Sequence, residues 1–202
     1  IFENNNITGD NNELAYGIKT RGGAVTSTSV FNNSIFDNVG CGIQTSGAEA
    51  VVENNTFTNN LASAVFPTTD DGSITSYKIR YNFMKDVGNA VDFLAKNGNS
   101  INGVTVSYNN FENASNIGIG AVRANNDGSG IYENSVDATH NWWGSANPDF
   151  DSLVEGDVDY VPWLDNEYPV GFPVYIRLPM KVQDTQGDPI ERATVIVQKS
   201  EN

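Results

Sequence analysis

The chain has 202 residues, enough to bury one substantial core, and we expect one main domain with room for a small appendage. Its formal net charge is −14 with only 11 Lys and Arg, which argues against binding to nucleic acid or to anionic membranes. Its 28 Asn and 19 Gly are poor helix formers that accept left-handed turn conformations, so the composition predicts many short strands joined by tight turns.

A short phrase recurs from the first residues onward: an apolar residue, two variable positions, Asn, one variable position and a second apolar residue. In the third copy the two apolar residues are Val52 and Phe57, and in the second copy the same spacing assigns Val30 and Ile35. The Asn positions recur every 22 to 28 residues, which is typical of a solenoid. These positions are Asn5, Asn33, Asn55, Asn82 and Asn109.

A second phrase follows the first in most copies: a stretch of small residues that ends in an apolar residue, at Ile43, Val65 and Val91. Two short strands per repeat, a turn between them and a variable return segment describe one rung of a β-helix. Leucine-rich repeats have similar periods, but their dense Leu ladder is missing from this sequence. Rungs of a β-helix stack about 4.8 Å apart with parallel hydrogen bonding, so equivalent side chains lie above one another.

The stacking of rungs predicts which side chains meet in columns. The motif Asn residues should form a ladder of side-chain amides. Across neighbouring strands Glu53 should pair with Arg80, and Lys85 should pair with Glu112. Two positions after the second apolar residue, acids and amides alternate, and for all these columns we favour a structural interpretation over a functional one. The alternating residues are Asp37, Asn59, Asp86 and Asn113.

The repeat gives way to a different pattern over residues 138–165, which contain all three Trp of the chain. A β-helix ends in an exposed apolar cross-section and an unpaired strand edge, and large aromatic side chains can cover such an end. His140, the only histidine, falls in register with Tyr81 and Tyr108. This register predicts a stacked column residue in preference to a metal ligand.

The closing segment contains the phrases Asn141-Trp142-Trp143-Gly144 and Asp159-Tyr160-Val161-Pro162-Trp163-Leu164. Over about residues 1–165 the chain resembles secreted bacterial and archaeal right-handed β-helix repeat proteins of the pectate-lyase-like superfamily, many of which end with these phrases. The resemblance implies the fold and its C-terminal closure. It is nearly silent on activity, because the family includes lyases, adhesins, surface-layer components and copper-accessory proteins.

We therefore predict an all-β chain with a right-handed parallel β-helix of about five to six rungs over residues 1–165, including an aromatic cap at 138–165. Residues 166–202 are predicted to be a linker followed by β-strands of an incomplete sandwich-like domain. Their strand pattern resembles the opening of an immunoglobulin-like or carboxypeptidase-regulatory-like domain. The chain starts within the repeat and without Met, so we expect the natural protein to extend beyond both ends.

The phrases of the sequence contain no recognisable catalytic site, and we predict no catalytic and no cofactor-binding residue. Polysaccharide lyases on this fold use a Ca²⁺-binding acidic cluster beside an Arg or Lys base, and hydrolases use Asp residues at close range. Arg80, Arg123 and Lys78 are candidate bases, but no phrase places one of them beside an acid cluster. The one adjacent acid pair, Asp70-Asp71, is predicted to lie in a turn.

Calcium is the one cofactor that stays open, since four acids flank the cap loop and carboxylate oxygens suit Ca²⁺. A solvated acidic loop explains the same residues. Copper is not expected, because a copper site wants several His, Cys or Met and the chain has one, one and two. Cys41 matches Ser63 and Asn89 at a small position and is predicted to be incidental. The calcium candidates are Asp149, Asp151, Asp157 and Asp159.

Together these features predict a secreted, non-catalytic structural protein of the cell surface: a surface-layer or filament component, or the stalk of an adhesin. We expect self-association or contact with neighbouring surface-protein subunits through the ends of the β-helix and the C-terminal strands. The alternative is a β-helix that binds polysaccharide or cleaves it as a Ca²⁺-dependent lyase. No apolar run is long enough to predict a membrane span.

Overall fold

The computed structural model describes residues 1–10, 12, 15–21, 28–47, 49–114 and 120–175. These residues form an all-β structure with one short helix, α1 (Phe150–Leu153). The strands predicted beyond residue 175 lie outside the described residues. In chain order the strands are β1 (Phe2–Glu3), β2 (Asn6–Thr8), β3 (Tyr16–Arg21), β4 (Ser29–Asn32), β5 (Ile35–Asp37), β6 (Cys41–Ser46), β7 (Ala50–Glu53), β8 (Thr56–Thr58), β9 (Ser63–Thr68), β10 (Tyr77–Arg80), β11 (Phe83–Lys85), β12 (Asn89–Ala95), β13 (Ser100–Ile101), β14 (Val104–Ser107), β15 (Asn110–Glu112), β16 (Val122–Asn126), β17 (Ile131–Tyr132), β18 (Val136–Asp137), β19 (Val154–Glu155), β20 (Val158–Asp159), β21 (Trp163–Leu164) and β22 (Pro173–Val174).

Three long parallel sheets run through the structure, because each strand pairs with its counterpart from the next repeat. Sheet A contains β1, β4, β7, β10, β14, β18 and β20; sheet B contains β2, β5, β8, β11 and β15; sheet C contains β3, β6, β9, β12, β16 and β19. Two small pairs stand outside these stacks, a parallel one between β13 and β17 and an antiparallel one between β21 and β22. Stacks of this kind are compatible with the predicted β-helix solenoid.

The core lies between the three sheets and is built from columns of equivalent apolar side chains. Alternate residues of a strand point to opposite faces, so each strand contributes its inward residues to one column. Every member of the three main columns is buried. The columns are Phe31, Val52, Ile79 and Val106 in sheet A; Phe36, Phe57, Met84 and Phe111 in sheet B; and Ile43, Val65, Val91 and Val122 in sheet C.

The second repeat is shifted by one residue from the predicted register. Phe31 stands opposite Val52 and Phe36 opposite Phe57, whereas the predicted apolar residue Ile35 is 45% exposed. The Phe36 and Phe57 rings stack with centroids 4.9 Å apart. The prediction was wrong because Val30 and Ile35 fit the apolar phrase as well as their neighbours do, but the two Phe side chains bury more apolar area.

The same shift corrects two column assignments. Ser34 occupies the position of Asn55, while Asn33 lies at an exposed left-handed corner with φ 49°. Asp37 stands opposite Thr58, so it does not belong to the predicted column of alternating acids and amides. Its neighbour Asn38 (φ 53°) takes that left-handed position instead.

The amide ladder is confirmed from Asn55 to Asn141. Asn82 Oδ1 accepts hydrogen bonds from the backbone nitrogen and the Nδ2 atom of Asn55, at 2.9 and 3.0 Å. Asn109 Oδ1 accepts the equivalent two hydrogen bonds from Asn82, and Asn141 Oδ1 accepts them from Asn109. All four residues are buried, and the ladder satisfies polar groups that would otherwise lie unpaired in the core.

Both predicted cross-strand ion pairs form. Arg80 Nε lies 2.9 Å from Glu53 Oε2, and Lys85 Nζ lies 3.2 Å from Glu112 Oε2. They join adjacent repeats on the outer surface of the stack, where solvent limits what each contributes to stability.

A cluster of aromatic rings surrounds Phe150 in helix α1, within the segment predicted to be the cap. Trp143 packs edge-on against the core residue Phe111, and Phe150 packs against Trp143, Tyr160 and Trp163 with centroid distances of 3.9 to 5.5 Å. These rings continue the apolar interior beyond the last sheet B strand. Within the described residues, no helix has the length and apolar character needed to cross a membrane.

Candidate functional site

The outer face of sheet C carries a row of side chains unlike the apolar columns inside. Each follows an inward core residue by one position, so it points to the opposite face of the strand. Adjacent strands bring successive members of the row about 4.8 Å apart. In stacking order the row is Lys19, Gln44, Phe66, Asp92, Arg123 and Glu155.

Three charged residues at one end of this row form an ion cluster. Arg123 Nη1 lies 3.1 Å from Asp92 Oδ2, and Arg123 Nε donates a hydrogen bond to Glu155 Oε2. The side chains of Arg123 and Asp92 are each only 12% exposed, so water screens their interaction much less than that of a surface pair. The cluster therefore holds a guanidinium between two carboxylates on a partly dry face.

Asp92 is the most perturbed carboxyl group of the site. The pKa of Asp92 is raised to about 6, mainly because burial penalises its charged form. Arg123 opposes this rise, and the charge of Glu155 adds to it. The Oδ1 atom of Asp92 is buried and has no hydrogen-bond partner among the described residues. Such a group can accept a hydrogen bond from a ligand or exchange a proton near neutral pH.

A cavity of about 240 Å³ opens beside Asp92 and Arg123. Phe66, which is partly exposed, and Tyr16, which is 40% exposed, supply aromatic surfaces to it. An aromatic face beside a carboxylate and a guanidinium suits a ring with one apolar face and hydroxyl groups at its edge. The remaining lining residues are Cys41, Ala62, Ser63 and Asn89.

Cys41 stands opposite Ser63 in the register, which confirms its predicted place in a column of small residues. Its side chain is buried, and burial raises the pKa of the thiol far above its ordinary value. The thiol is therefore protonated at physiological pH and is a poor nucleophile.

A second cleft of about 210 Å³ lies further along the same face. Its charged lining residues are Lys19, Arg21, Asp70 and Asp71. At its edge Lys96 Nζ lies 2.6 Å from Asp70 Oδ1. Burial alone would raise the pKa of Asp70, but hydrogen bonds from Lys96 and Thr68 lower it below its usual value. The predicted turn at Asp70-Asp71 is confirmed.

The four calcium candidates are all exposed. Asp149 precedes α1 and Asp151 lies within it, while Asp159 Oδ2 accepts a hydrogen bond from Ser135 at 2.6 Å. Among the described residues, no group of three or more His, Cys, Asp or Glu side chains is arranged to hold a metal ion. Calcium binding at Asp149, Asp151, Asp157 and Asp159 stays a prediction.

His140 occupies its predicted column. Its ring stacks on Tyr108 with centroids 5.3 Å apart, and Tyr108 stacks on Tyr81 at 5.8 Å. All three residues have left-handed backbone conformations at the same corner of the stack.

The surroundings of Arg123 were not predicted from the sequence. No phrase of the sequence places this residue beside an acid cluster, yet in the structure it lies between Asp92 and Glu155. The three residues are 31 and 32 positions apart, so no local pattern joins them. Alignment of the third strand of each repeat would have revealed the row.

In comparisons with known proteins, no family model, curated protein or solved structure matches the chain. The structure itself defines the class. The protein is all-β, with parallel strands stacked in long sheets in a manner compatible with a β-helix solenoid.

Proposed function

We propose that the chain belongs to a secreted, non-catalytic structural protein of the cell surface, either a surface-layer or filament component or the stalk of an adhesin. In this proposal the stack is a right-handed β-helix of about five to six rungs, akin to the pectate-lyase-like repeat proteins. The observation that supports it best is the continuous amide ladder from Asn55 to Asn141.

The ladder favours a rigid rod because each repeat fastens the next through the same contact. At every step a buried side-chain amide oxygen accepts hydrogen bonds from the backbone nitrogen and the side chain of the preceding repeat. The Glu53–Arg80 and Lys85–Glu112 pairs add links on the outside. A solenoid with such nearest-neighbour links transmits force along its length, as a stalk or filament subunit requires.

Association between copies, through the ends of the stack and through the strands predicted after residue 174, belongs to the same proposal. Electron microscopy of the purified protein should show regular polymers or arrays. The Asn82→Ala variant should lose them because it breaks the ladder, whereas Asn54→Gly, at an exposed left-handed corner (φ 56°), should keep them. Monomers alone, over a wide concentration range, would count against the proposal.

A second function is favoured by one specific observation, the cavity beside Asp92 and Arg123 on the outer face of sheet C. There a polysaccharide ring would pack on Phe66 and donate a hydroxyl hydrogen bond to the unpartnered Asp92 Oδ1. In the catalytic version of this function, the chain cleaves the polysaccharide in the presence of Ca²⁺.

Two measurements distinguish polysaccharide cleavage from polysaccharide binding. Incubation with acidic polysaccharides and Ca²⁺, followed by ultraviolet absorbance of unsaturated products, tests cleavage. A glycan array tests binding, and both Phe66→Ala and Asp92→Asn should abolish any signal. Asp10→Asn, the same kind of change at an exposed position outside the cavity, is the matched control. Polysaccharide binding by both the Phe66→Ala and the Asp92→Asn variants would rule out this site.

A further inference from the structure

Two Asn-Gly pairs lie in neighbouring turns, and their Asn side chains differ in hydrogen bonding and packing. Asn97-Gly98 follows β12, and Asn102-Gly103 lies between β13 and β14. Both glycines have left-handed backbone conformations, with φ 73° at Gly98 and 61° at Gly103. Because glycine has no Cβ, the nitrogen after such an Asn can approach the side-chain amide closely, which makes Asn chemically labile at this position.

Asn102 is held at both ends of its side-chain amide. Its Nδ2 donates to Glu133 Oε2 at 2.8 Å, and its Oδ1 accepts from Asn134 Nδ2 at 2.7 Å. The following Gly103 is packed against backbone, since a Cβ built on it would lie 2.6 Å from the carbonyl oxygen of Thr75. The Asn102 amide therefore has little freedom to turn toward the Gly103 nitrogen.

Asn97 lacks these restraints. Its side chain is exposed, and among the described residues its amide makes a single long hydrogen bond, 3.4 Å from Nδ2 to the carbonyl oxygen of Asp70. A Cβ built on Gly98 would meet no atom within 4 Å, so the turn is surrounded by open space.

We infer that Asn97 is a self-modification site. The backbone nitrogen of Gly98 attacks Cγ of Asn97, which closes a five-membered succinimide ring and releases ammonia. Water then opens the ring at one of its two carbonyl groups. The product at position 97 is aspartate or isoaspartate, and water is the only other reactant.

The modification changes the charge beside the second cleft on sheet C. Lys96, the preceding residue, forms the ion pair with Asp70 at the edge of that cleft. A new carboxylate at position 97 competes with Asp70 for Lys96 and makes the cleft more acidic. The isoaspartate product also lengthens the backbone of the turn by one methylene group.

The test compares the two Asn-Gly pairs within one protein. The folded protein is incubated at 37 °C and digested, and peptide mass spectrometry follows the mass increase that accompanies replacement of NH₂ by OH. We expect the product at Asn97 to form at least about tenfold faster than at Asn102, because two hydrogen bonds must break before Asn102 reacts. In concentrated urea, where only local sequence matters, the two rates should become similar.

Two variants test the cause of the difference between the reaction rates at Asn97 and Asn102. Asn97→Gln should remove the product at position 97, since a six-membered ring closes more slowly. Glu133→Ala should accelerate the reaction at Asn102 and leave Asn97 unchanged. Equal rates in the folded protein, or the same ratio of rates in urea, would overturn the inference.

Discussion

Asp92 links stability to pH at the scale of a single residue. Burial raises the pKa of Asp92 to about 6 in the folded protein, against an ordinary value of 3.8. The folded state therefore binds this proton more tightly than the unfolded state, and Asp92 makes the free energy of unfolding fall as pH rises between these two values. Above about pH 6 Asp92 is charged in both the folded and the unfolded state, so the free energy of unfolding carries the full cost of burying the charge.

Asp92→Asn should therefore stabilise the protein in a pH-dependent way. We expect a gain of about 1–2 kcal/mol in the free energy of unfolding at about pH 8 and almost none at about pH 4, where wild-type Asp92 is already neutral. Urea denaturation at both pH values measures it. Asp151→Asn, an exposed change of the same charge, is the control. A difference that does not vary with pH would contradict the assignment.

Asn82 tests the amide ladder. It is buried, and its Nδ2 atom also donates to the carbonyl oxygens of Val52 and Arg80, at 2.9 and 3.0 Å. Asn82→Ala should lower the free energy of unfolding by about 3 kcal/mol or more, because it leaves several buried polar groups unpaired.

Serine is the natural control, since Ser34 occupies the same column in an earlier repeat. Asn82→Ser should cost less than Asn82→Ala, and Ser34→Asn should raise stability. Urea denaturation of the three variants checks this order. Equal losses for the two Asn82 variants would show that lost packing outweighs lost hydrogen bonding.

At the scale of the strand, the register of β5 can be tested with two adjacent residues. Phe36 is buried and stacks on Phe57, whereas Ile35 is 45% exposed. Phe36→Ala should cost about 3–5 kcal/mol of unfolding free energy, and Ile35→Ala should change it by less than about 0.5 kcal/mol. Thermal unfolding followed by circular dichroism distinguishes the two. The reverse order would restore the register predicted from the sequence.

This strand also shows why one repeat was misaligned while later ones were predicted correctly. From Val52 onward, one frame alone puts apolar residues at both inward positions of the phrase. In the second repeat Val30 and Phe31, like Ile35 and Phe36, offer an apolar residue in either frame. Only the stacking of Phe36 on Phe57 decides between them, and that contact is tertiary.

The candidate site could not be predicted from the sequence, for a related reason. Asp92 lies in an ordinary strand pattern, and Arg123 and Glu155 follow at intervals of 31 and 32 residues that include long turns. The residue types were visible, but their alignment on one face depends on where β12, β16 and β19 begin. Turn lengths vary between repeats, so the period of the amide column does not locate these strands.

At the scale of the whole molecule, the excess of negative charge destabilises the folded state. The net charge of −14 acts against folding through mutual repulsion of carboxylates. Five ion pairs act in the other direction within the described residues, and most of their side chains are partly exposed. Both effects are screened by salt, so the sign of the salt dependence reveals which is larger.

We expect repulsion to dominate, because exposed pairs contribute about 0–1 kcal/mol each while the excess of acids extends over the whole surface. The midpoint of thermal unfolding should rise between about 10 mM and about 300 mM NaCl, by about 2–4 °C for each kcal/mol gained. Asp157→Lys, at an exposed position, reduces the negative charge by two and should raise the low-salt midpoint while weakening its salt dependence. Scanning calorimetry provides the measurement. A midpoint that falls with salt would mean that pairs such as Arg80–Glu53 and Arg123–Glu155 outweigh the repulsion, and that the fold depends on its ion pairs more than on relief of its charge.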